Sequence, residues 1–278
     1  MLYLAATPIG NLGDITYRVV ETLQSCDEVW CEDTRRTGQL LQYLQIRKPL
    51  VSCHEHTEKG RCPLLLNKLQ EGKNIVYVSD AGMPGISDPG AVLLKACQEA
   101  GLPVTVLPGA SAVLTAAVLS GLPIQPFTFY GFLPRDNKPR REMLEDLSRC
   151  GHMAILYESP HRVKDTLKDL LSLLGDCPAA LCRELTKMHE EARQGTLSSL
   201  IASMEEEPRG ECVLCVLVPS KASRNQEENP DQLLLHLMEE LSLKDAAAEA
   251  AKVLGLPKKE VYRRALELRD CHSSEEEA

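Results

Sequence analysis

A loop of sequence SDAGMPGISDPG, residues 79–90, constrains this chain more than any other segment. It follows the apolar run NIVYV and precedes the apolar-periodic stretch AVLLKACQEA. Strand, loop rich in Gly, Pro and Asp, then helix is the arrangement by which an open parallel sheet binds a ligand at the carboxyl ends of its strands. Gly82, Gly85 and Gly90 let the main chain approach a bound molecule, and Asp80 and Asp88 put carboxylates at the rim. Connections this long inside compact domains are often functional. Two similar loops lie in the same half of the chain: ATPIGNLGD, residues 6–14, and LPGASA, residues 107–112. Asp14 is the expected N-cap of the helix DITYRVVETLQSC, in which Ile15, Val19 and Leu23 recur at helical spacing. Ser111 stands near the start of ASAVLTAAVLSG, where free N–H groups face outward. None of the loops carries G-x-x-x-x-G-K-[ST] or a full G-x-G-x-x-G, which disfavours a nucleoside triphosphate or NAD.

The pattern divides the chain. Over residues 1–121 the strand candidates LYLAA, DEVWCE, LVSCH, NIVYVS and VTVLP alternate with helical stretches. That is a βαβ series and predicts a mostly parallel sheet. The prolines of GLPIQP, residues 121–126, end it and mark a linker. Residues 127–219 start again with FTFYGFL, a charged helix and HMAILYES. HRVKDTLKDLLSLLG then places Val163, Leu167, Leu170, Leu171 and Leu174 on one helical face. AALCREL, MHEEARQGTL and ECVLCVLVP follow closely enough to predict antiparallel pairing and a mixed sheet. A polar stretch, SKASRNQEENPDQ, reads as a flexible linker to a helical tail over residues 231–272. There Gly255 suits a helix C′ position and Pro257 the first turn of the next helix, giving a helix-turn-helix-like pair. SSEEEA is expected to be a solvated, disordered end. The fold expected is therefore α/β: two α/β domains with a small helical extension.

Composition narrows the partners. With 31 basic and 40 acidic residues the formal charge is −9, so bulk electrostatics do not drive nucleic-acid binding and any RNA contact is local. Aromatic residues at 4% rule out a long base-stacking platform. The eleven cysteines are scattered through apolar runs with no C-x-x-C pair, which suits buried free thiols in a reducing cytoplasm and gives no metal site. In CVLC, Cys212 and Cys215 point to opposite faces of a strand. No apolar run is long enough for a membrane span, and MLYLAATPIG lacks the basic start of a signal peptide.

The segments ATPIGNLGDIT, CEDTRRTGQLL, SDAGMPGISDPG, LPGASA, FYGFLPR, YESPHR, RELTKMHEE with GTL, and GECVLCVLV stand in this order over most of residues 1–218. Together they resemble the tetrapyrrole methylase superfamily of S-adenosylmethionine-dependent methyltransferases, on the side of its members that act on ribosomal RNA. The resemblance implies two α/β domains with the cofactor in the cleft between them. It implies methylation of the ribose 2′-hydroxyl of a cytidine in the decoding region of 16S ribosomal RNA, free or within the small ribosomal subunit, by a cytoplasmic homodimer. It places the cofactor on Pro8, Asp80, Ala81, Gly82, Met83, Pro84, Ser87, Asp88, Ser111, Ala112 and Tyr157. Such proteins usually carry threonine in DAGTP; Met83 stands there instead, so a side-chain hydroxyl is missing while main-chain contacts survive.

Methyl transfer to a ribose hydroxyl needs near-attack geometry and removal of a proton. Candidates for the chemistry are Asp33, Arg35, Glu158 and His161, with Glu32 and Glu184 beside them. The expectation is that Glu32, Asp33 and Arg35 face Glu158, His161 and Arg162 across the cleft. Each also has a structural alternative: Glu32 or Asp33 capping the helix near Thr34, His161 exposed at a helix start, Glu184 pairing with Arg183 or Lys187. RNA contacts are expected from Arg36, Arg135, Lys138, Arg140, Arg141 and Arg162, and from Lys259 and Arg263, four apart on a tail helix beside Lys258 and Arg264. Three other readings stay open: a small-molecule methylase acting on a tetrapyrrole, a non-catalytic ribosome-associated factor, and a nucleotide-dependent α/β enzyme.

Overall fold

The computed structural model describes residues 1–204, 210–220, 230–254 and 256–275. Most of the expected linker (221–229), Gly255 and the last three residues lie outside them.

The first sheet is built from β1 (Leu2–Ala5), β2 (Glu28–Cys31), β3 (Leu50–Ser52), β4 (Ile75–Val78) and β5 (Val104–Leu107), in the order β3-β2-β4-β1-β5. Every pairing in it is parallel, as the alternation predicted. Its strands are apolar on both faces because helices cover both. Val29, Cys31, Val76 and Val78 face α1 (Tyr17–Ser25) and α2 (Thr34–Tyr43). Trp30, Ile75 and Tyr77 face α3 (Glu55–Gln70) and α4 (Ala91–Glu99). The N-cap of α1 is Thr16, whose Oγ1 accepts from the Val19 N–H at 3.3 Å; Asp14 is not the cap. Asp14 instead ends a short 3₁₀ turn, Leu12–Asp14, that lifts the chain before the helix begins.

The second sheet contains β6 (Phe127–Phe132), β7 (Met153–Glu158), β8 (Pro178–Arg183), β9 (Glu191–Thr196) and β10 (Cys212–Leu217), ordered β6-β7-β10-β8-β9. Only β6–β7 is parallel, so the sheet is mixed as expected. One face packs on α6 (Asn137–Ser148), α7 (Val163–Leu174) and α8 (Leu197–Ala202); Cys212, Leu214 and Val216 belong to it. The other holds Met153, Ile155, Cys182, Val213 and Cys215, with Cys212 and Cys215 on opposite faces as their spacing requires.

Helix α5 (Ala112–Leu119) joins the two halves. It leaves β5 of the first sheet, yet buries Val113, Ala116 and Ala117 on the second. Gln194 of β9 donates to the Leu119 carbonyl at 3.2 Å and ties down its end. The chain then runs through a cis Gln125–Pro126 bond into β6.

The tail consists of α9 (Pro230–Glu240), α10 (Leu243–Leu254) and α11 (Lys258–Glu275), closed around Leu234, Ala247, Ala250, Val261 and Ala265. Arg264 of α11 is clamped by Asp231 of α9 at 2.7 Å. Helix α11 continues through Glu275, so the expected disordered end is helical for its first half. No helix among the described residues is long and apolar enough to cross a membrane.

Candidate functional site

The ends of the parallel strands and one edge of the mixed sheet meet at a cavity of about 370 Å³. From the first half come Ile9 and the loop residues Ala81, Gly82, Met83, Ile86, Ser87 and Asp88, with Ser111 and Ala112 at the start of α5. From the second come Phe132 at the end of β6, Tyr157 and Glu158 at the end of β7 with Ser159 and Pro160 beyond it, and Gly210 to Val213 at the start of β10.

Local physics fixes the loop. Thr7 and Gly82 exchange two main-chain hydrogen bonds, 2.9 and 3.0 Å, a small antiparallel bridge that staples loop 79–90 to loop 6–14. Gly82 has φ +78 and Gly90 φ +132, a region that side-chain-bearing residues rarely adopt. At the far end of the loop Glu58 of α3, 4% exposed, accepts from the N–H groups of Gly90, Val92 and Leu93 at 2.8, 3.1 and 3.2 Å. A carboxylate from another helix thus satisfies the free donors at the start of α4 and holds the loop's last residue. Nothing in the sequence marks Glu58 out except its place in SCHEHTEKG.

The two halves also touch through loops. A Cβ on Gly10 would meet Lys187 Cγ at 2.5 Å, Thr186 Oγ1 at 2.9 Å and Leu185 O at 3.0 Å, so only glycine fits. A register shift in β6 beside Tyr130 and Gly131 breaks its alternation and brings Phe132 into the cavity wall. There Phe132 and Phe129 pack against Tyr157, with centroids 5.4 and 4.9 Å from it.

The charged residues lining the cavity are Asp88, Glu158 and Glu211, all acidic. Burial holds the Asp88 carboxyl above the usual carboxylate range; the Asp80 charge adds to this and the Ser79 hydroxyl opposes it. Burial, then the Asp88 charge, pushes the Tyr157 phenol up to about 12. Glu32, just outside, is raised by burial and then by the charges of Asp80 and Asp88.

Eight residues expected on a cofactor line this cavity: Ala81, Gly82, Met83, Ser87, Asp88, Ser111, Ala112 and Tyr157. Three do not. Pro84 is buried beneath the loop. Pro8 and Asp80 line a second cavity of about 220 Å³ on the other side of the Thr7–Gly82 bridge, together with Leu12, Arg36, Gln39 and Leu40. The two segments change sides together: Thr7, Pro8, Ser79 and Asp80 line the second cavity, and Ile9, Ala81, Gly82 and Met83 the first. Ile9, from the Pro8–Gly10 turn expected at the cofactor, lines the first cavity, and Ile86, Phe132 and residues 210–213 line it without having been singled out as cofactor contacts. Their segments were visible in the motifs, but only the fold brings them together.

The expected cross-cleft constellation does not form as drawn. Asp33 caps α2 and receives Arg35 Nη2 at 2.7 Å, which holds its carboxyl near about 2. Neither lines the first cavity. Glu158 does, but it is 2% exposed and committed: Oε1 accepts from the Ser159 N–H at 2.8 Å, Oε2 from Thr166 Oγ1 at 2.8 Å, and Arg162 Nε lies 3.8 Å away. His161 is exposed one turn on, outside the lining. Glu184 pairs with Lys187 at 2.8 Å.

Of the expected RNA contacts, Arg140 and Arg162 are structural. Arg140 bonds Asp169 at 2.7 Å and Thr166 at 3.0 Å with its side chain 14% exposed. Arg162 donates to the Leu133 and Pro134 carbonyls at 3.2 and 3.1 Å. Both brace the start of α7 and are held away from solvent there, although Arg140 Nη1 is buried with no hydrogen-bond partner. Arg135, Lys138, Arg141, Lys259 and Arg263 are exposed, Arg263 lying 4.0 Å from Glu267; Arg36 is exposed beside Asp80 at 3.4 Å. Among the described residues no cluster of His, Cys, Asp or Glu could hold a metal ion.

Two α/β sheets meeting in a cleft make a two-part α/β protein with a small-molecule site between its halves. A family model described as Tetrapyrrole (Corrin/Porphyrin) Methylases matches residues 1–201, and the chain belongs to that family. A second model, the RsmI C-terminal HTH domain, matches residues 225–269. Among similar curated proteins, the Synechocystis sp. "Ribosomal RNA small subunit methyltransferase I" is 46% identical, the match covering 96% of this chain and 98% of that one. Proteins of the same name from Escherichia coli O157:H7 and Bacillus subtilis (strain 168) are 44% and 43% identical, over 96% and 94% of this chain and 94% and 92% of theirs. Solved structures share the fold at low identity. The methyltransferase CobJ aligns with TM-score 0.60 and 20% identity over 78% of this chain and 93% of its own. The uroporphyrin-III-C-methyltransferase of Thermus thermophilus aligns with TM-score 0.54 and 20% identity over 77% and 93%.

Proposed function

We propose that this methyltransferase uses S-adenosylmethionine to methylate the ribose 2′-hydroxyl of a cytidine in the decoding region of 16S ribosomal RNA. The observation that carries the cofactor is the first cavity: an apolar space walled by main-chain turns whose charged residues are all acids. Such a site attracts a cationic sulfonium and amine and repels a phosphate chain. Its volume lies in the range of small-molecule sites. When bound, the cofactor supplies an electrophilic methyl group; the chain's own work is to hold, orient and keep water away. The Gly82–Met83 main chain and the Ser111–Ala112 turn offer donors and acceptors to an adenine edge. Asp88 and Glu211 offer carboxylates to hydroxyl and amine groups, and Tyr157 with Phe132 closes the apolar side. Met83 fills this wall with a thioether, so the grip here falls to the main chain.

The ribosomal substrate is supported by the names of the relatives across nearly the whole chain. Exposed cations on α6 and α11 give a small basic surface on an acidic protein, which favours a folded particle over bulk RNA. Asp33, with its proton affinity lowered by Arg35, and Glu158, fully committed, serve as positioning groups. Glu32, raised by burial and neighbouring charge, is better matched to accepting the hydroxyl proton. The chain acts in the cytoplasm as a homodimer. Support for the dimer is an exposed apolar strip, Val106 of β5 at 47% with Leu114 and Val118 of α5 at 57% and 71%. Mass spectrometry of small-subunit RNA from cells with and without the gene tests the function. One 2′-O-methylcytidine should lose its methyl group in the deletion; an unchanged methylation map overturns the reading.

A further inference from the structure

The second cavity has no role in holding the cofactor as described, yet it adjoins that site through one pair of backbone segments. Thr7 and Asp80 line it, while Ile9 and Ala81 line its neighbour. The Thr7–Gly82 bridge is the partition between them. Pro8, Leu12 and Leu40 supply apolar walls, and the Arg36–Asp80 pair supplies a polar edge. Asp80 is held in place: its Oδ1 accepts the Asp33 N–H at 3.1 Å, leaving Oδ2 toward Arg36 at 3.4 Å. That separation is long for an ion pair, so neither group is saturated.

We propose that this cavity seats the acceptor base, turned out of its stack, and that Asp80 and Arg36 read its Watson–Crick edge as cytosine. The proposal rests on the methyl-transfer reading above. A carboxylate beside a guanidinium presents acceptor, then donors. Cytosine presents the complement, its N4 amino donor beside the N3 and O2 acceptors. Uracil and guanine place a carbonyl where cytosine has an amine, which sets oxygen against the Asp80 carboxylate. Adenine shares the cytosine order along its edge, but its fused ring must fit between Leu12 and Leu40. Reading an extruded base by its edge between apolar side chains is how enzymes acting on nucleotides select their target. Asp80 and Arg36 are the charged residues of this lining, an opposite pair that suits an uncharged base. With the base seated here, the sugar lies at the partition, beside the neighbouring cavity.

The test uses the full-length protein, Asp80→Asn and Arg36→Gln, tritiated S-adenosylmethionine, and small-subunit RNA transcripts with the mapped acceptor as cytidine or as uridine. Asparagine keeps an oxygen for the Asp33 N–H, and Arg36 is exposed, so both variants should fold; their melting curves check this. Cofactor affinity by equilibrium dialysis should match wild type within about twofold. Arg36→Gln should lower kcat/KM on the cytidine transcript about tenfold or more, and Asp80→Asn should reduce the cytidine-over-uridine preference by a similar factor. Wild-type rates and base preference in both variants, or loss of cofactor binding in Asp80→Asn, overturns the proposal. If the wild-type protein binds no cofactor or methylates neither transcript nor small subunits, the methyl-transfer reading itself fails.

Discussion

The two sheets contribute to the cleft in different currencies. The parallel sheet delivers loops, and these present main chain: the Thr7–Gly82 bridge, the turn ending at Gly90, the start of α5. The mixed sheet delivers side chains: Phe132, Tyr157 and Glu211 from one edge where β6 and β7 end and β10 begins. Parallel strands with helices on both faces leave only their ends open, so a ligand meets backbone there. The antiparallel pairing of β7 and β10 turns the end of one strand and the start of the next toward the same edge, so residues far apart in sequence converge. The lesson is that tolerance to mutation should differ between the two walls. Side chains supporting the loop wall matter through the backbone they hold, and those on the other wall matter directly.

The largest expected effect falls on a residue that touches no ligand. Glu58→Ala leaves three main-chain donors at the head of α4 without their carboxylate, costing about 3 kcal/mol of stability and loosening Gly90. Urea unfolding measures the cost, and cofactor affinity should fall with it. Retained stability and affinity would break the claim that the loop wall depends on this clamp. A middle-sized effect separates two neighbours on α6. Arg140→Ala should lose about 2 kcal/mol through Asp169 and Thr166 and leave RNA affinity unchanged in folded protein. Arg141→Ala should change stability by under about 0.5 kcal/mol while weakening RNA binding and lowering its salt slope by about one. The reverse outcome would return Arg140 to the RNA surface.

The smallest effect is a pH dependence. Burial raises the Asp88 pKa above its unfolded value, so the ionised carboxyl destabilises the ligand-free chain. Its favourable contribution is present below the ordinary carboxylate pKa and is lost as pH rises through the raised one. Asp88→Asn should therefore raise the melting temperature of the ligand-free protein slightly at neutral pH, with the difference vanishing as acid protonates the wild type. The same variant should bind S-adenosylmethionine more weakly at neutral pH and lose the wild type's decline in affinity on acidification. A destabilised variant at neutral pH would contradict the burial argument.

Much of this molecule was readable from its residues. Alternation gave every strand of the parallel sheet, and glycine, proline and aspartate marked the loops that line the cavity. The failures share one cause: one-dimensional spacing does not say what a side chain meets. Asp14 and Thr16 are equally good caps until the 3₁₀ turn shifts the helix start. Arg140 and Arg141 are chemically alike, and only α7 decides that one is consumed. Asp80 and Ala81 are neighbours in the chain but face two cavities. Glu58 left no local signal because its partners are more than thirty residues away.

The central claim is that the cleft between the sheets, gripped mainly by loop backbone, holds the methyl donor. A crystal structure with S-adenosylmethionine tests it most directly. The donor should occupy the cavity between the Gly82–Asp88 segment and Tyr157, with main-chain contacts from loop 79–90. A donor bound in the cavity of Arg36 and Asp80, or on any other surface with the cleft empty, would contradict it.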